Sequence, residues 1–240
     1  MGEQKKKAKH ELVQANNILY HEKVLFEAFG HISVRNPENS NEFLLSRSLA
    51  PMCVSYEDIF TYDLEGNCLT ETDKQSYAER VIHSEIYKRN PNVHSICHNH
   101  AQALMPFTVL DIPYKPLSHY GAIFYAGVPV YDNYDVSDGM LIRNKDEGER
   151  VARCLGDKKG MFLRGHGVIV TGESLRRCVM NSIFMVIDAE NQYNALQLGT
   201  PKYLSYEEGR TCDEKTWGMA LSQERAWNFW CSKLERNGKV

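Results

Sequence analysis

The chain has 240 residues, 42% of them hydrophobic and 25% charged, with a formal net charge of −3, enough for one substantial core and no electrostatic reason to expect nucleic acid as a partner. Its seven cysteines, at 53, 68, 97, 154, 178, 212 and 231, are scattered and never spaced Cys-x-x-Cys, which argues against a disulfide framework and a thiolate zinc knot. No run of about 18 apolar residues occurs, and Met1–Lys7 is lysine-rich with no apolar stretch after it, so the expectation is a cytoplasmic protein with reduced thiols, no membrane association and a small molecule as partner.

In chain order, apolar residues at Leu12, Ala15, Ile18, Leu19, Val24, Leu25 and Ala28 predict an amphipathic helix over 8–28, with Gly30 as a stop signal. His31–Arg35 and Phe43–Leu45 read as short strands joined by the turn-rich Asn36–Asn41. A third strand, Ile59–Asp63, turns at Glu65-Gly66-Asn67. Ser76–Arg89 has one apolar side, at Ala78, Val81, Ile82, Ile86 and Tyr87, and closes at Pro91, so it reads as a helix. Val93–His98 follows as a buried strand and Ala101–Leu110 as a short helix. Further on come a strand at Val128–Tyr131, a helix at Glu147–Leu155, strand segments at Met161–Leu163 and Val168–Val170, and a long helix capped by Ser174 and running to about Leu198. The tail from about 205 ends in a helix over Glu214–Leu234 that carries Trp217, Trp227 and Trp230. No linker divides the chain. We expect one domain, 1–240, of mixed α/β class with a largely antiparallel sheet.

The strongest chemical signal is Ile96-Cys97-His98-Asn99-His100. Residues i and i+2 of a strand project to one face, roughly 6 to 7 Å apart at a rise of ~3.3 Å per residue, so His98 and His100 can converge on one ion. Two ordinary polar residues at a strand end are the bland alternative, but a buried imidazole without a partner is costly. His166, in Leu163-Arg164-Gly165-His166-Gly167-Val168, is a third ligand candidate between two glycines, and three protein ligands leave a coordination position for water or substrate. Glu79 precedes His98 by nineteen positions. It is a candidate acid, although Ser76-x-x-Glu79 also has the form of a capping box in which the carboxylate only bonds back to the Ser76 amide. His83, one turn further along, would orient that carboxylate or pack. His119 and Tyr120, in a loop before a Gly-Ala pair, are candidates for a general acid and a substrate contact. Arg47, in Ser46-Arg47-Ser48-Leu49-Ala50-Pro51, offers a planar fork suited to a carboxylate.

Together, Gly30-His31-Ile32-Ser33-Val34-Arg35, Glu79 with His83, His98-Asn99-His100 and Leu163-Arg164-Gly165-His166-Gly167 resemble the class II aldolase/adducin family in order and spacing, over roughly residues 8 to 200. The resemblance implies a three-layer α/β/α sandwich around a mainly antiparallel sheet. It also implies one divalent ion per subunit, zinc, manganese, iron or cobalt, on His98, His100 and His166, with Glu79 in proton transfer. A further implication is a homotetramer with active sites between subunits.

The sugar-phosphate branch carries Gly-Asn-x-Ser-x-Arg, a Thr-Pro-Ser-Gly-like loop and serines before the acid, whose small donors surround a phosphate. Here the asparagine is His31, the loop carries Arg47, and Tyr77-Ala78 precede Glu79. With His119 and Val128-Pro129-Val130-Tyr131-Asp132 this looks like the branch that decarboxylates hydroxylated aromatic or pyridine dicarboxylates, with His31, Arg47 and Tyr120 as substrate contacts. Aldol cleavage of a hydroxy-carbonyl or sugar phosphate is the alternative, since both reactions leave enolate-like charge for a cation to stabilise. A noncatalytic adducin-like scaffold and a metal oxygenase stand behind these. Scaffolds of the family typically lose the metal ligands, whereas all three histidines persist here.

Overall fold

The computed structural model describes residues 2–236, so Met1 and 237–240 of the expected 1–240 unit lie outside the described residues. Helix α1 (Glu3–His21) leads into strands β1 (His31–Arg35), β2 (Glu42–Ser46) and β3 (Ile59–Asp63), then α2 (Arg80–Arg89), β4 (Ser95–Asn99) and the short α3 (Met105–Val109). β5 (Val130–Tyr131), α4 (Lys145–Leu155), β6 (Gly160–Leu163), β7 (Gly167–Gly172) and the long α5 (Leu175–Leu198) follow, and α6 (Tyr206–Cys212) and α7 (Ala220–Arg236) form the tail. The seven strands make one sheet in the order β3-β2-β1-β4-β7-β6-β5. All neighbours are antiparallel except β5 and β6. The result is a mixed, mainly antiparallel sheet with helices on both faces.

Alternation along the strands builds the two faces. Phe43, Leu45, Ile96, Met161 and Ile169 pack with Val81, Ile82 and Ile86 of α2 and Val151 and Leu155 of α4. Their sequence neighbours Leu44, Cys97, Phe162, Val168 and Val170 pack on the other side with Leu12 and Leu19 of α1 and Cys178, Val179 and Ile183 of α5. A period of two therefore sends successive residues to opposite cores. The same rule puts His98 on the α2 side, two residues from Ile96. Across the ladder His31 pairs with His98 and Ser33 with Ile96, so His31 and Ser33 face α2 as well.

Several boundaries differ from the sequence expectation. The first helix stops at His21, because Lys23 and Glu27 adopt positive φ (60° and 54°), yet Val24 and Leu25 stay buried in the α1-side core. Helix α2 begins at Arg80 rather than Ser76, and Glu79 at its N-cap makes no side-chain cap hydrogen bond. The helix expected over Ala101–Leu110 is limited to Met105–Val109, and the strand at 128–131 to two residues. The single tail helix is in fact two, joined by a π turn at Asp213–Trp217. Buried Asp213 accepts from the Arg177 guanidinium and from Lys159 Nζ at 2.6 Å, and Arg177 also donates to the Trp217 carbonyl. This clasp fixes the tail on α5. Ser174 caps α5 as expected, its hydroxyl accepting from the Arg177 amide at 3.1 Å. No helix of the described residues is long and apolar enough to cross a membrane, and all seven cysteines are free thiols.

Candidate metal centre

His98 lies near the end of the central strand β4 and His100 just beyond it, while His166 sits in the tight β6–β7 turn next door. Gly165 in that turn has φ +65°, a conformation that favours glycine, and the His166 amide closes the turn on the Leu163 carbonyl at 3.0 Å. Gly167 is needed for a different reason. A Cβ there would lie 2.6 Å from the Asn99 carbonyl oxygen and 2.7 Å from His100 Cδ2, so a hydrogen in place of a side chain lets the turn close against the histidines. The three ring centroids are 4.7 Å (98–100), 5.0 Å (98–166) and 5.4 Å (100–166) apart. One nitrogen from each ring lies within 4.8 Å of those of the other two.

Glu79 completes the group. Its Oε2 is 3.5 Å from His98 Nε2 and its Oε1 3.6 Å from His166 Nε2. The Ile142 amide donates to Oε1 at 3.1 Å. The carboxylate thus faces the histidines, and the capping-box reading is corrected: its oxygens are spent on the centre and on Ile142, not on the Ser76 amide. Burial pushes the Glu79 pKa up, but the facing His98 and His166 rings and the Ile142 amide outweigh it and bring it down to about 2. Burial, reinforced by mutual repulsion, lowers His100 to about 3 and His166 to about 4. At neutral pH the centre holds a carboxylate beside two imidazoles, His100 and His166, that resist protonation.

The hydrogen bonds test whether this donor set suits a cation. The His98 Nδ1–H donates to the Val168 carbonyl at 3.1 Å, which turns Nε2 toward Glu79. That Nε2 is buried and has no hydrogen-bond partner among the described residues, and His166 Nε2 faces the same carboxylate. A buried ring nitrogen facing a buried carboxylate is satisfied when a positive charge lies between them. Three imidazoles and a carboxylate are a donor set that divalent zinc, manganese, iron or cobalt accepts. The residues fit a divalent ion.

The centre opens on a cavity of about 310 Å³ whose walls include His31, Leu49, Ala50, Tyr77, Glu79 and His100. Tyr77 packs on His31 with ring centroids 4.4 Å apart, and its hydroxyl donates to the Leu49 carbonyl at 2.6 Å. The structure brings together five of the expected site residues, His31, Glu79, His98, His100 and His166. Arg47 lies on the strand-end loop beside Ser48, which lines the cavity, but is not itself one of its walls; its Nε donates to Asp58 Oδ1 at 2.5 Å. His119 and Tyr120 do not join the histidines within this chain. They pack on the tail and on α5: the His119 carbonyl accepts from Trp217 Nε1 at 2.6 Å, and Tyr120 packs edge-on to Phe184 of α5 at 4.8 Å. Buried Asp188 anchors the preceding turn through Ser118 and the Leu117 amide. His83 does not orient Glu79. It bonds instead to His31 and Ser33, a contact that depends on the β1–β4 register and so had no signal in local sequence.

The family model for the Class II Aldolase and Adducin N-terminal domain matches residues 10–193. The chain belongs to this family. Class II aldolases use a divalent metal, in keeping with the histidine and glutamate cluster. Among relatives, the chain is 32% identical to Decarboxylase tropJ of Talaromyces stipitatus, over 92% of each protein. It is 27% identical to 3,4-dihydroxyphthalate decarboxylase of Arthrobacter keyseri over 73% of each. Its fold matches that of L-fuculose 1-phosphate aldolase from Glaciozyma antarctica with a TM-score of 0.80 and 22% identity, covering 97% of this chain and 90% of that one. The expected fold and family are therefore both found, and decarboxylases stand among its relatives.

Proposed function

We propose that this chain is a divalent-metal-dependent carbon–carbon lyase that decarboxylates a hydroxylated aromatic or heteroaromatic mono- or dicarboxylate. The observation that carries this reading is the bare Nε2 of His98 facing Glu79 beside a cavity walled by the flat rings of His31 and Tyr77. Decarboxylases among the relatives, the two named above included, support the choice of reaction. The ligands are His98, His100 and His166, and zinc, manganese, iron and cobalt are the candidate ions.

Bound at these histidines, the ion supplies a Lewis acid for negative charge developing on substrate oxygen. Glu79, a carboxylate at neutral pH, takes a proton from a substrate hydroxyl or bound water and delivers it to the ring carbon as the bond to the carboxylate breaks and carbon dioxide leaves with no net redox change. The electron pair of the broken bond stays with the ring and becomes the new C–H bond. His31 and Tyr77 hold the ring. Arg47 anchors a second carboxylate through its terminal amino groups, since its Nε is committed to Asp58. His119 and Tyr120 reach a substrate only at the cavity of a neighbouring copy, and we assign them there, in a homotetramer with sites between subunits. We place the enzyme in the cytoplasm.

Aldol cleavage is the second reading, favoured by the match in fold to a sugar-phosphate aldolase. Incubating the metal-loaded protein with a panel of hydroxylated aromatic carboxylates and of sugar phosphates, while recording carbon dioxide and aldehyde, separates the two. Carbon dioxide from the aromatic panel is the expected result. Aldehyde from a sugar phosphate without carbon dioxide would replace decarboxylation with aldol cleavage.

A further inference from the structure

Behind His31 runs a buried line of hydrogen bonds that no step above uses. His31 Nδ1 lies 2.7 Å from His83 Nε2, His83 Nδ1 lies 2.6 Å from Ser33 Oγ, and Ser33 Oγ lies 2.8 Å from the Tyr87 hydroxyl. The line ends where the Tyr87 hydroxyl donates to the His94 carbonyl at 3.5 Å. All four side chains are buried. The His31–His83 and His83–Ser33 contacts each need one donor and one acceptor.

A carbonyl accepts and never donates, and this gives the line a direction. If Tyr87 donates to His94, then Ser33 donates to Tyr87, His83 Nδ1–H donates to Ser33, and His31 Nδ1–H donates to His83 Nε2. Every bond is then made, and His31 Nε2 is left as a lone pair on a ring that lines the cavity. The opposite polarity forfeits the His94 bond.

We infer that His83, Ser33 and Tyr87 are positioning residues that lock His31 in its Nδ1–H tautomer, so that His31 offers the cavity a hydrogen-bond acceptor and selects a ligand bearing a hydroxyl donor at that point. The inference rests on the cavity being the substrate site. A His31 nitrogen, a Glu79 oxygen and a His98 nitrogen lie within 4.8 Å of one another. The ring that reads the hydroxyl thus sits beside the carboxylate and a metal-ligand candidate. Tyr87→Phe keeps the ring and removes the terminal hydroxyl. Ser33 then has His83 Nδ1 as its remaining acceptor in the line, which reverses the whole chain and places the hydrogen on His31 Nε2.

The test is nitrogen-15 histidine NMR on the zinc-loaded 240-residue chain, with long-range proton–nitrogen correlations reporting each ring's tautomer. The Nδ1–H form of His31 in the wild type and the Nε2–H form in Tyr87→Phe are expected. An Nε2–H His31 in the wild type, or an unchanged tautomer in the variant, would overturn the inference. Should Tyr87→Phe fail to fold, Ser33→Ala cuts the same line one residue nearer, and loss of the single-tautomer signal is expected there; a retained Nδ1–H signal would overturn it equally. Binding of 2,3-dihydroxybenzoate and its 3-methoxy analogue gives the functional readout. A preference of about tenfold for the hydroxyl compound, the worth of one hydrogen bond, is expected in the wild type and lost in Tyr87→Phe, whereas an equal preference in both proteins would count against the lock. If neither probe binds while the tautomers behave as stated, it is the substrate reading that fails and the lock that stands.

Discussion

His98 Nε2 and Glu79 Oε2 face each other at 3.5 Å while the other His98 nitrogen is already occupied by the Val168 carbonyl. The strand pair β4–β7 thus decides which nitrogen of His98 looks into the centre, and α2 delivers the carboxylate opposite it. Orientation of a ligand ring by a hydrogen bond on its far nitrogen is a general feature of metal sites, and here the partner is backbone, which mutation of a side chain does not remove.

Glu79→Gln tests the role given to the carboxylate. The side chain keeps its size and its acceptor for the Ile142 amide but can no longer carry a proton to carbon. Steady-state kinetics on the metal-loaded protein should show kcat reduced by about 10²–10⁴, the usual span for a general acid or base. In the metal-free protein the new amide can donate to His98 Nε2, so thermal stability without metal should be equal or higher. A variant with full turnover would remove Glu79 from proton transfer.

Gly167→Ala tests the close approach behind the centre. The added methyl meets the Asn99 carbonyl at 2.6 Å, and backbone cannot yield as a flexible side-chain end does. A loss of about 1–3 kcal/mol in denaturant unfolding is expected, together with weaker metal retention on dialysis, because the turn must retreat and take His166 with it.

Acid sensitivity follows from His83, whose pKa burial and its neighbour His98 bring down to about 3. The unfolded chain takes up this proton near pH 6.5 and the folded one does not. Its contribution is therefore complete above pH 6.5 and is lost as pH falls from there toward 3, at up to about 1.4 kcal/mol per pH unit. Unfolding of metal-free wild type and His83→Gln between pH 7.5 and 5 checks this, and the variant should show the shallower slope. Parallel slopes would mean that His83 is protonated in the fold.

Local sequence carries only part of this site. His98 and His100 were legible because a strand's period of two fixes their common side without reference to the rest of the fold. Glu79 was legible only as one of two roles, since the same Ser76-x-x-Glu79 spacing serves a cap. What separates the roles is the Ile142 amide, a backbone group from a distant loop with no sequence signature. The His31–His83 bond needs the register of β1 on β4 and the seating of α2, both tertiary. The same holds for the ends of α1 and of the tail: Lys23 and Glu27 take positive φ without a glycine to announce it, and the π turn at Asp213–Trp217 is held by Arg177 and Lys159 from elsewhere in the chain.

Metal content joined to turnover bears most directly on the central claim, that His98, His100 and His166 hold a catalytic cation. Elemental analysis of the purified protein should find one divalent ion per chain. Exhaustive chelation should abolish carbon dioxide release from a hydroxylated aromatic carboxylate, readdition should restore it, and His98→Ala should neither bind the ion nor recover. A chain that turned over the same substrate at its original rate after chelation, or a His98→Ala variant that kept both ion and activity, would contradict the account.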